Sequence, residues 1–163
     1  MRKMTYCYNC GTKLYPKELD GEGIIPFCER CGEYRFPIFS AAVSMIVFSP
    51  QKDKILLIRQ YGRPHNILVA GYINKGESAE QAAAREITEE TGLKSSDFHF
   101  NKSAYFEPTN TLMLNFSCTA LSDDLSGVNK KEVDYAKWYT LDEAKKEIKP
   151  DSLAQHFLNY ALI

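Results

Sequence analysis

The chain has almost no net charge, no long apolar run and no repeat, and each absence removes a class of function. With Lys+Arg 20 against Asp+Glu 21 the formal net charge is −1. No overall basic field is available to draw nucleic acid to it. No stretch approaches the roughly 18 apolar residues of a membrane span, and the longest apolar run, near Val43 to Phe48, is strand length. The opening Met1-Arg2-Lys3-Met4-Thr5-Tyr6-Cys7 has basic residues but no apolar segment behind them, so no signal peptide is expected. A cytoplasmic location without a membrane partner is the default expectation. Internal repeats and low-complexity tracts are missing.

What remains fits a soluble globular protein. The 163 residues suit one domain with a small appendage, and 44% hydrophobic against 25% charged residues is ordinary for that class. Residues 1–36 are rich in Cys, Gly and Lys and poor in aliphatics, whereas aliphatic strands and helical patterns alternate over 37–163. The boundary is set at Phe36-Pro37, with no long linker.

Within the larger part, Ala41 to Phe48 reads as a strand, Ser49 to Asp53 as a turn and Lys54 to Arg59 as the antiparallel return. Ile67 to Ala70 is a short strand ending at Gly71. Ser78 to Thr91 reads as a helix: Ser78 and Glu80 suit its start, Ala79, Ala82, Ala83 and Ile87 form an apolar stripe, and Gly92 suits the position just past its end. Strands are expected at Phe98 to Phe106, Leu112 to Ala120 and Ala136 to Tyr139. Helices are expected to open at Leu141 and to run from Ser152 to Leu162. The class is α+β, a mixed sheet between helices.

Two constellations carry chemistry. The first is Cys7-x-x-Cys10 and Cys28-x-x-Cys31, separated by 17 residues, each pair followed by Gly (Gly11 and Gly32). Thiolates so spaced grip one tetrahedral ion, and the Gly lets the chain turn so that backbone N–H groups face sulfur. Disulfides or reactive thiols are the alternative; with no secretory signal, the metal reading leads. Four sulfur ligands leave no open position, so the expected Zn²⁺ is structural. Tyr6, Tyr8, Phe27 and Tyr34 are placed to pack around the knuckles. The fifth cysteine, Cys118, lies mid-strand and reads as a small buried apolar residue.

The second is acidic. Glu86, Glu89 and Glu90 share one helix face, where like charges repel by roughly a few tenths of a kcal/mol per pair. They also crowd the helix C-terminus, which disfavours anions. A divalent cation would offset both, and carboxylates are the preferred ligands of Mg²⁺. A solvated acidic face is the bland alternative, and the three acids by themselves do not decide between them.

The longer stretch does. From Gly71 to Leu93 the chain follows G-x5-E-x7-R-E-U-x-E-E-x-G-U, with U aliphatic: nine specified positions within 23 residues, through Glu77, Arg85-Glu86, Ile87, Glu89-Glu90 and Gly92. This resembles the Nudix hydrolases over most of the chain from Pro37 onward. The resemblance implies a mixed sheet sandwiched by helices, and hydrolysis of the diphosphate in a nucleoside diphosphate linked to another group. It implies Glu86 and Glu90 as principal ligands of Mg²⁺ (or Mn²⁺), and Glu89 as a further ligand or partner through water. The Gly71 carbonyl is a candidate ligand, and Glu77 with Arg85 is an ion pair orienting the glutamates.

A four-Cys ribbon directly before such a domain resembles the NADH pyrophosphatase branch. Glu33-Tyr34-Arg35-Phe36-Pro37, Ser103-Ala104-Tyr105-Phe106 and Lys131 to Tyr139 carry the likeness. By the same likeness Glu132 is the candidate extra ligand or general base, with Glu107 its rival. The chain departs at the branch's S-Q-P-W-P-F-P-x-S marker, where Tyr105 to Thr111 has one Pro and no Trp. No counterpart of the extra N-terminal domain of longer members is expected. NADH, NAD, ADP-ribose and related dinucleotides therefore all stay open as substrates. Tyr72, Tyr105 and Phe106 are candidates to stack on a base, and Arg59, Arg63 and His65 to meet phosphate.

Two other classes are weighed. A ribbon that binds nucleic acid, or an RNA cap-removing variant, would use Lys3, Lys13 and Lys17, but Asp20, Glu22, Glu29 and Glu33 offset them. Composition thus argues against a nucleic-acid partner. A non-catalytic nucleotide sensor usually loses box acids, and none is lost here. A homodimer is expected by analogy with the family alone.

Overall fold

Nine strands, three α-helices and one short 3-10 turn form among residues 4–162, the residues that the computed structural model describes. Lys3, counted above among the basic residues, lies outside the described residues, as do Met1 and Arg2 of the opening segment. Two units, Met1–Phe39 and Ser40–Ile163, are separately compact.

In the first unit, β1 (Tyr15–Leu19), β2 (Gly23–Cys28) and β3 (Glu33–Tyr34) pair antiparallel in that order. Tyr15 lies opposite Phe27 and Phe27 opposite Tyr34. The three rings meet edge-on, Phe27 centroid to Tyr15 at 5.7 Å and to Tyr34 at 4.9 Å. Tyr6 and Tyr8 are exposed instead, and Tyr8 lies beneath the Arg35 guanidinium. Among the described residues the buried apolar side chains of this unit are Cys7, Leu14, Phe27 and Cys28, with Met4, Cys10 and Cys31 packed against the cysteine–leucine cluster. So little apolar burial needs a staple to hold a fold together.

The second unit is built on one six-stranded mixed sheet. Its elements are β4 (Ser40–Phe48), β5 (Lys54–Gln60), β6 (Val69–Tyr72), α1 (Ala79–Thr91), β7 (Ser95–Phe106), a 3-10 turn (Glu107–Thr109), β8 (Thr111–Ala120), β9 (Val133–Thr140), α2 (Leu141–Glu147) and α3 (Leu153–Ala161). The strand order is β7-β8-β4-β5-β9, with β6 also on β4. The β4–β8 pair is parallel and the others are antiparallel.

Period-two alternation explains the layers. Val43, Met45, Val47, Leu56 and Ile58 pack with Ala82, Ala83 and Ile87 of α1. Ile46, Ile55 and Leu57 point the other way, onto Ala144 of α2 and Phe157 and Leu158 of α3. Both sheet faces are covered, which is why β4 and β5 read as unbroken apolar runs. The architecture is the expected helix–sheet–helix sandwich with a mixed sheet. Ile87 is fully buried beneath α1, and truncating it to Ala should cost about 2–5 kcal/mol. No helix among the described residues is long and apolar enough to cross a membrane.

Candidate active site

The acids are delivered by α1. Ser78 caps it: its hydroxyl accepts from the Gln81 N–H at 3.2 Å, while the Gln81 side chain accepts from the Ser78 N–H at 2.9 Å. Reciprocal capping fixes where the helix begins, and so which residues share a face. At the other end Gly92 adopts the left-handed conformation.

One guanidinium organises three carboxylates. Arg85 donates to both oxygens of Glu77, at 2.8 and 2.9 Å, to Glu86 Oε1 at 2.6 Å and to Glu89 Oε2 at 2.9 Å. It also donates to the Tyr72 carbonyl at 2.9 Å, tying the end of β6 to the helix. The Arg85 bonds, with one from the Asn74 N–H, hold the Glu77 carboxyl at about 2. Glu77 therefore stays ionised under all ordinary conditions.

Backbone packing sets the rest. Gly71, in β6, lies so near Glu86 that a β-carbon there would stand 1.9 Å from Glu86 Cδ. Only a residue without a side chain admits the carboxylate. Glu90 is 4% exposed. Its Oε1 accepts from the Gln60 side-chain amide at 2.6 Å, and its Oε2 is buried with no hydrogen-bond partner. Burial is the largest influence on Glu90; the Gln60 bond opposes it, the charges of Glu86, Glu132 and Glu89 add to it, and the carboxyl stands at about 7. An orphaned buried carboxylate oxygen among like charges is costly. Hard oxygen donors in that state fit a divalent cation.

Among the other candidates, Glu132 belongs to this neighbourhood, since its charge acts on Glu90. Its loop is pinned there by the Asn129 N–H, which donates to the Glu90 carbonyl at 3.0 Å, and by the Glu132 N–H to the Asn129 carbonyl. Glu107 instead opens the 3-10 turn after β7. A cleft of about 500 Å³ adjoins Gly71, and Tyr72, Phe106, Arg63 and Lys149 are among its lining residues. Arg59 and Tyr105 do not line it. Arg59 donates to Asn66 at 2.8 Å and lies over the Tyr135 ring, while the Tyr105 hydroxyl bonds Asn110. His65 is exposed.

Sequence reasoning missed Gln60 and the Asn129 tether. A polar residue closing the apolar run Ile55 to Ile58 on its α1-facing phase was the available signal for Gln60.

In the first unit the sulfurs of Cys7, Cys10, Cys28 and Cys31 all lie within 4.8 Å of one another. Cys7 to Cys31 is 3.9 Å and Cys10 to Cys28 is 3.5 Å, close to the roughly 3.8 Å edge of a tetrahedron with 2.3 Å zinc–sulfur bonds. These are free thiols, not disulfides. The Gly11 and Gly32 N–H groups close matching turns onto the Cys7 and Cys28 carbonyls at 2.8 and 2.9 Å. Both glycines have positive φ, 71° and 69°, as such turns require. Buried Arg35 donates to Cys7 Sγ at 3.2 Å. Burial pushes the Cys7 thiol up, but the bonds from Arg35 and from the Asn9 and Cys10 backbone outweigh it and favour the thiolate.

Comparison with known proteins agrees with the sandwich and the box. The sequence model of the NUDIX domain matches residues 39–158. NAD-capped RNA hydrolase NudC of Pseudomonas aeruginosa is 29% identical over 163 residues, covering 99% of this chain and 56% of that protein. Nudix hydrolase 19, chloroplastic, of Arabidopsis thaliana is 34% identical over 152 residues, covering 88% of this chain and 34% of that one. The chain thus spans little more than half the length of the first curated relative and a third of the second. A NUDIX hydrolase structure from Nitrosomonas europaea superposes with TM-score 0.65 at 22% identity, covering 77% of this chain and 89% of that one.

Proposed function

This chain belongs to the Nudix family, and from that premise we propose that it hydrolyses the diphosphate linkage of a nucleoside diphosphate joined to another moiety, with Mg²⁺ or Mn²⁺ held by Glu86, Glu89 and Glu90. NADH, NAD, ADP-ribose and related dinucleotides form the substrate class. The observation that carries this reading is the buried, unpartnered Oε2 of Glu90 beside Glu86, Glu89 and Glu132.

A divalent cation bound there supplies charge neutralisation for the diphosphate and Lewis acidity toward its oxygens. The chain's own residues do the rest. Glu77 holds Arg85 by both oxygens, and Arg85 sets the positions of Glu86 and Glu89. Gly71 leaves room for the Glu86 carboxylate, and its carbonyl is a further candidate ligand. Glu132 takes a proton from the attacking water, or serves as an added ligand; Glu107 is the alternative base. The water oxygen bonds to one phosphorus, the bridging P–O bond breaks, and a nucleoside monophosphate leaves. Tyr72 and Phe106, at the cleft beside Gly71, provide ring faces for a base, with Arg63 nearby as a cation for phosphate.

The acids are not gathered as the cysteines are: among the described residues the four sulfurs are the only compact set of three or more ligand atoms. That difference supports two kinds of site. A closed S₄ cage suits structural Zn²⁺, and an open carboxylate set suits an ion that keeps water and takes phosphate oxygens. A cytoplasmic location accompanies the reading, and a homodimer rests on analogy alone.

The test is a panel of NADH, NAD, ADP-ribose and dinucleotide polyphosphates, read for released monophosphate with Mg²⁺ or Mn²⁺. Release from at least one compound, lost on cation removal, is expected. No release from any compound by folded, cation-supplied protein would overturn the reading. The relatives named for NAD-capped RNA favour a second substrate of the same chemistry, an RNA bearing a dinucleotide cap. Its kcat/KM relative to free NAD decides between them.

A further inference from the structure

Gln60 closes β5 and lies 30 residues before Glu90, outside the box. The strand is irregular there. Arg59 pairs with Tyr135 but Gln60 pairs with Val133, so the register passes over Asp134. Asp134 is taken up instead by the Gly62 N–H at 2.7 Å. Bulges beside active sites commonly re-aim a side chain. Here Gln60, 9% exposed, donates its amide to Glu90 Oε1 at 2.6 Å, and Oε2 stays buried without a partner.

The choice of an amide has consequences. A donor on Oε1 fixes the carboxylate plane and leaves one oxygen to bind an ion. Because the amide is neutral, it adds no positive charge to compete with that ion. A Lys or Arg in its place would neutralise Glu90 and repel a cation.

We propose that Gln60 is a positioning residue for the cation site, holding Glu90 by one oxygen so that the other is presented to a divalent cation. This rests on the reading of Glu90 as a cation ligand. It adds to the box a residue from the sheet opposite.

The experiment measures Mn²⁺ binding to the full chain without nucleotide, by electron paramagnetic resonance, for wild type, Gln60→Met and Gln60→Lys. Gln60→Met keeps the shape and removes the donor. Its Mn²⁺ affinity should fall roughly 10–100-fold. Gln60→Lys keeps a donor and adds charge, and should also bind Mn²⁺ more weakly than wild type. A purely structural hydrogen bond predicts that Gln60→Met lowers the melting temperature and keeps the wild-type Mn²⁺ affinity. Wild-type Mn²⁺ affinity in either variant overturns the proposal, and Gln60→Lys carries the test by itself if Gln60→Met does not fold. A wild-type chain that takes up no Mn²⁺ instead overturns the reading of the whole cluster, and the role of Gln60 with it.

Discussion

The α-carbon of Gly71 and the carboxylate of Glu86, 15 positions apart in the chain, share one small space, so that a β-strand glycine backs onto a helix acid. A β-carbon at Gly71 would meet Glu86 Cδ at 1.9 Å, so Gly71→Ala must displace that carboxylate. Its backbone φ is not in the left-handed region, so the effect is steric rather than conformational. We expect roughly a 100-fold loss in kcat/KM with about 1–3 kcal/mol of destabilisation. Near-normal activity in Gly71→Ala would show that Glu86 is not needed where it stands.

Glu90 should give the protein a distinctive pH dependence. Its native carboxyl stands at about 7, above the ordinary 4.5, chiefly through burial. The native state therefore keeps the proton longer than the unfolded chain. The associated stability is full below pH 4.5 and is lost as pH rises to about 7. The loss is on the order of 3 kcal/mol. Urea melts without added divalent cation should show this step in wild type and not in Glu90→Gln. At pH 8 Mg²⁺ should stabilise wild type and leave Glu90→Gln nearly unchanged. Identical pH profiles for the two proteins would refute the assignment.

Arg85 contacts three carboxylates with a planar fork that an ammonium does not reproduce. Arg85→Lys is expected to lower kcat/KM roughly 10–100-fold. Glu77→Gln should weaken activity in the same range while leaving substrate KM nearly unchanged. A KM-only effect would mean that Arg85 holds substrate rather than the acids.

Glu132 and Glu107 separate by neighbourhood. Glu132 acts on Glu90 and sits on a loop tethered to it, whereas Glu107 opens a turn after β7. Glu132→Gln should reduce kcat by roughly 100-fold or more, with Glu107→Gln within a few-fold of wild type. The reverse ranking would move the general base to Glu107.

Zinc removal should be felt locally. With Cys7, Cys10, Cys28 and Cys31 proposed to hold Zn²⁺, a chelator strong enough to strip such a site should open the first unit, whose apolar cluster is small. Hydrogen exchange should rise across β1 to β3 well before it rises in β4 or β5. Protection in β1 to β3 that survives complete loss of zinc would contradict a structural role for the metal.

Much of this was legible in the chain itself, and the legible parts share a cause. The α1 helix is marked by Ser78, its apolar stripe and Gly92, all acting within a turn or two of backbone. Likewise Cys-x-x-Cys-Gly encodes a knuckle through local geometry alone. Strand ends were less sharp: β7 begins at Ser95 rather than Phe98, since its first residues pair with Thr119 and Ala120 across the sheet. The aromatic and basic candidates near the box could not be sorted by position. Only the fold turns Phe106 and Arg63 toward the cleft while engaging Arg59 with Asn66 and Tyr135.

The sequence by itself determined which chemistry is available: four thiolates at metal spacing, and glutamates repeating on one helical face. Tertiary structure decided how that chemistry is held. Gln60 reaches Glu90 from a strand, Gly71 makes room for Glu86 from another, and the Asn129 loop brings Glu132 toward both. Periodicity and capping act over a few residues, so they are written in order along the chain. Burial, and the orphaned oxygen it leaves on Glu90, arise only when distant segments exclude water together.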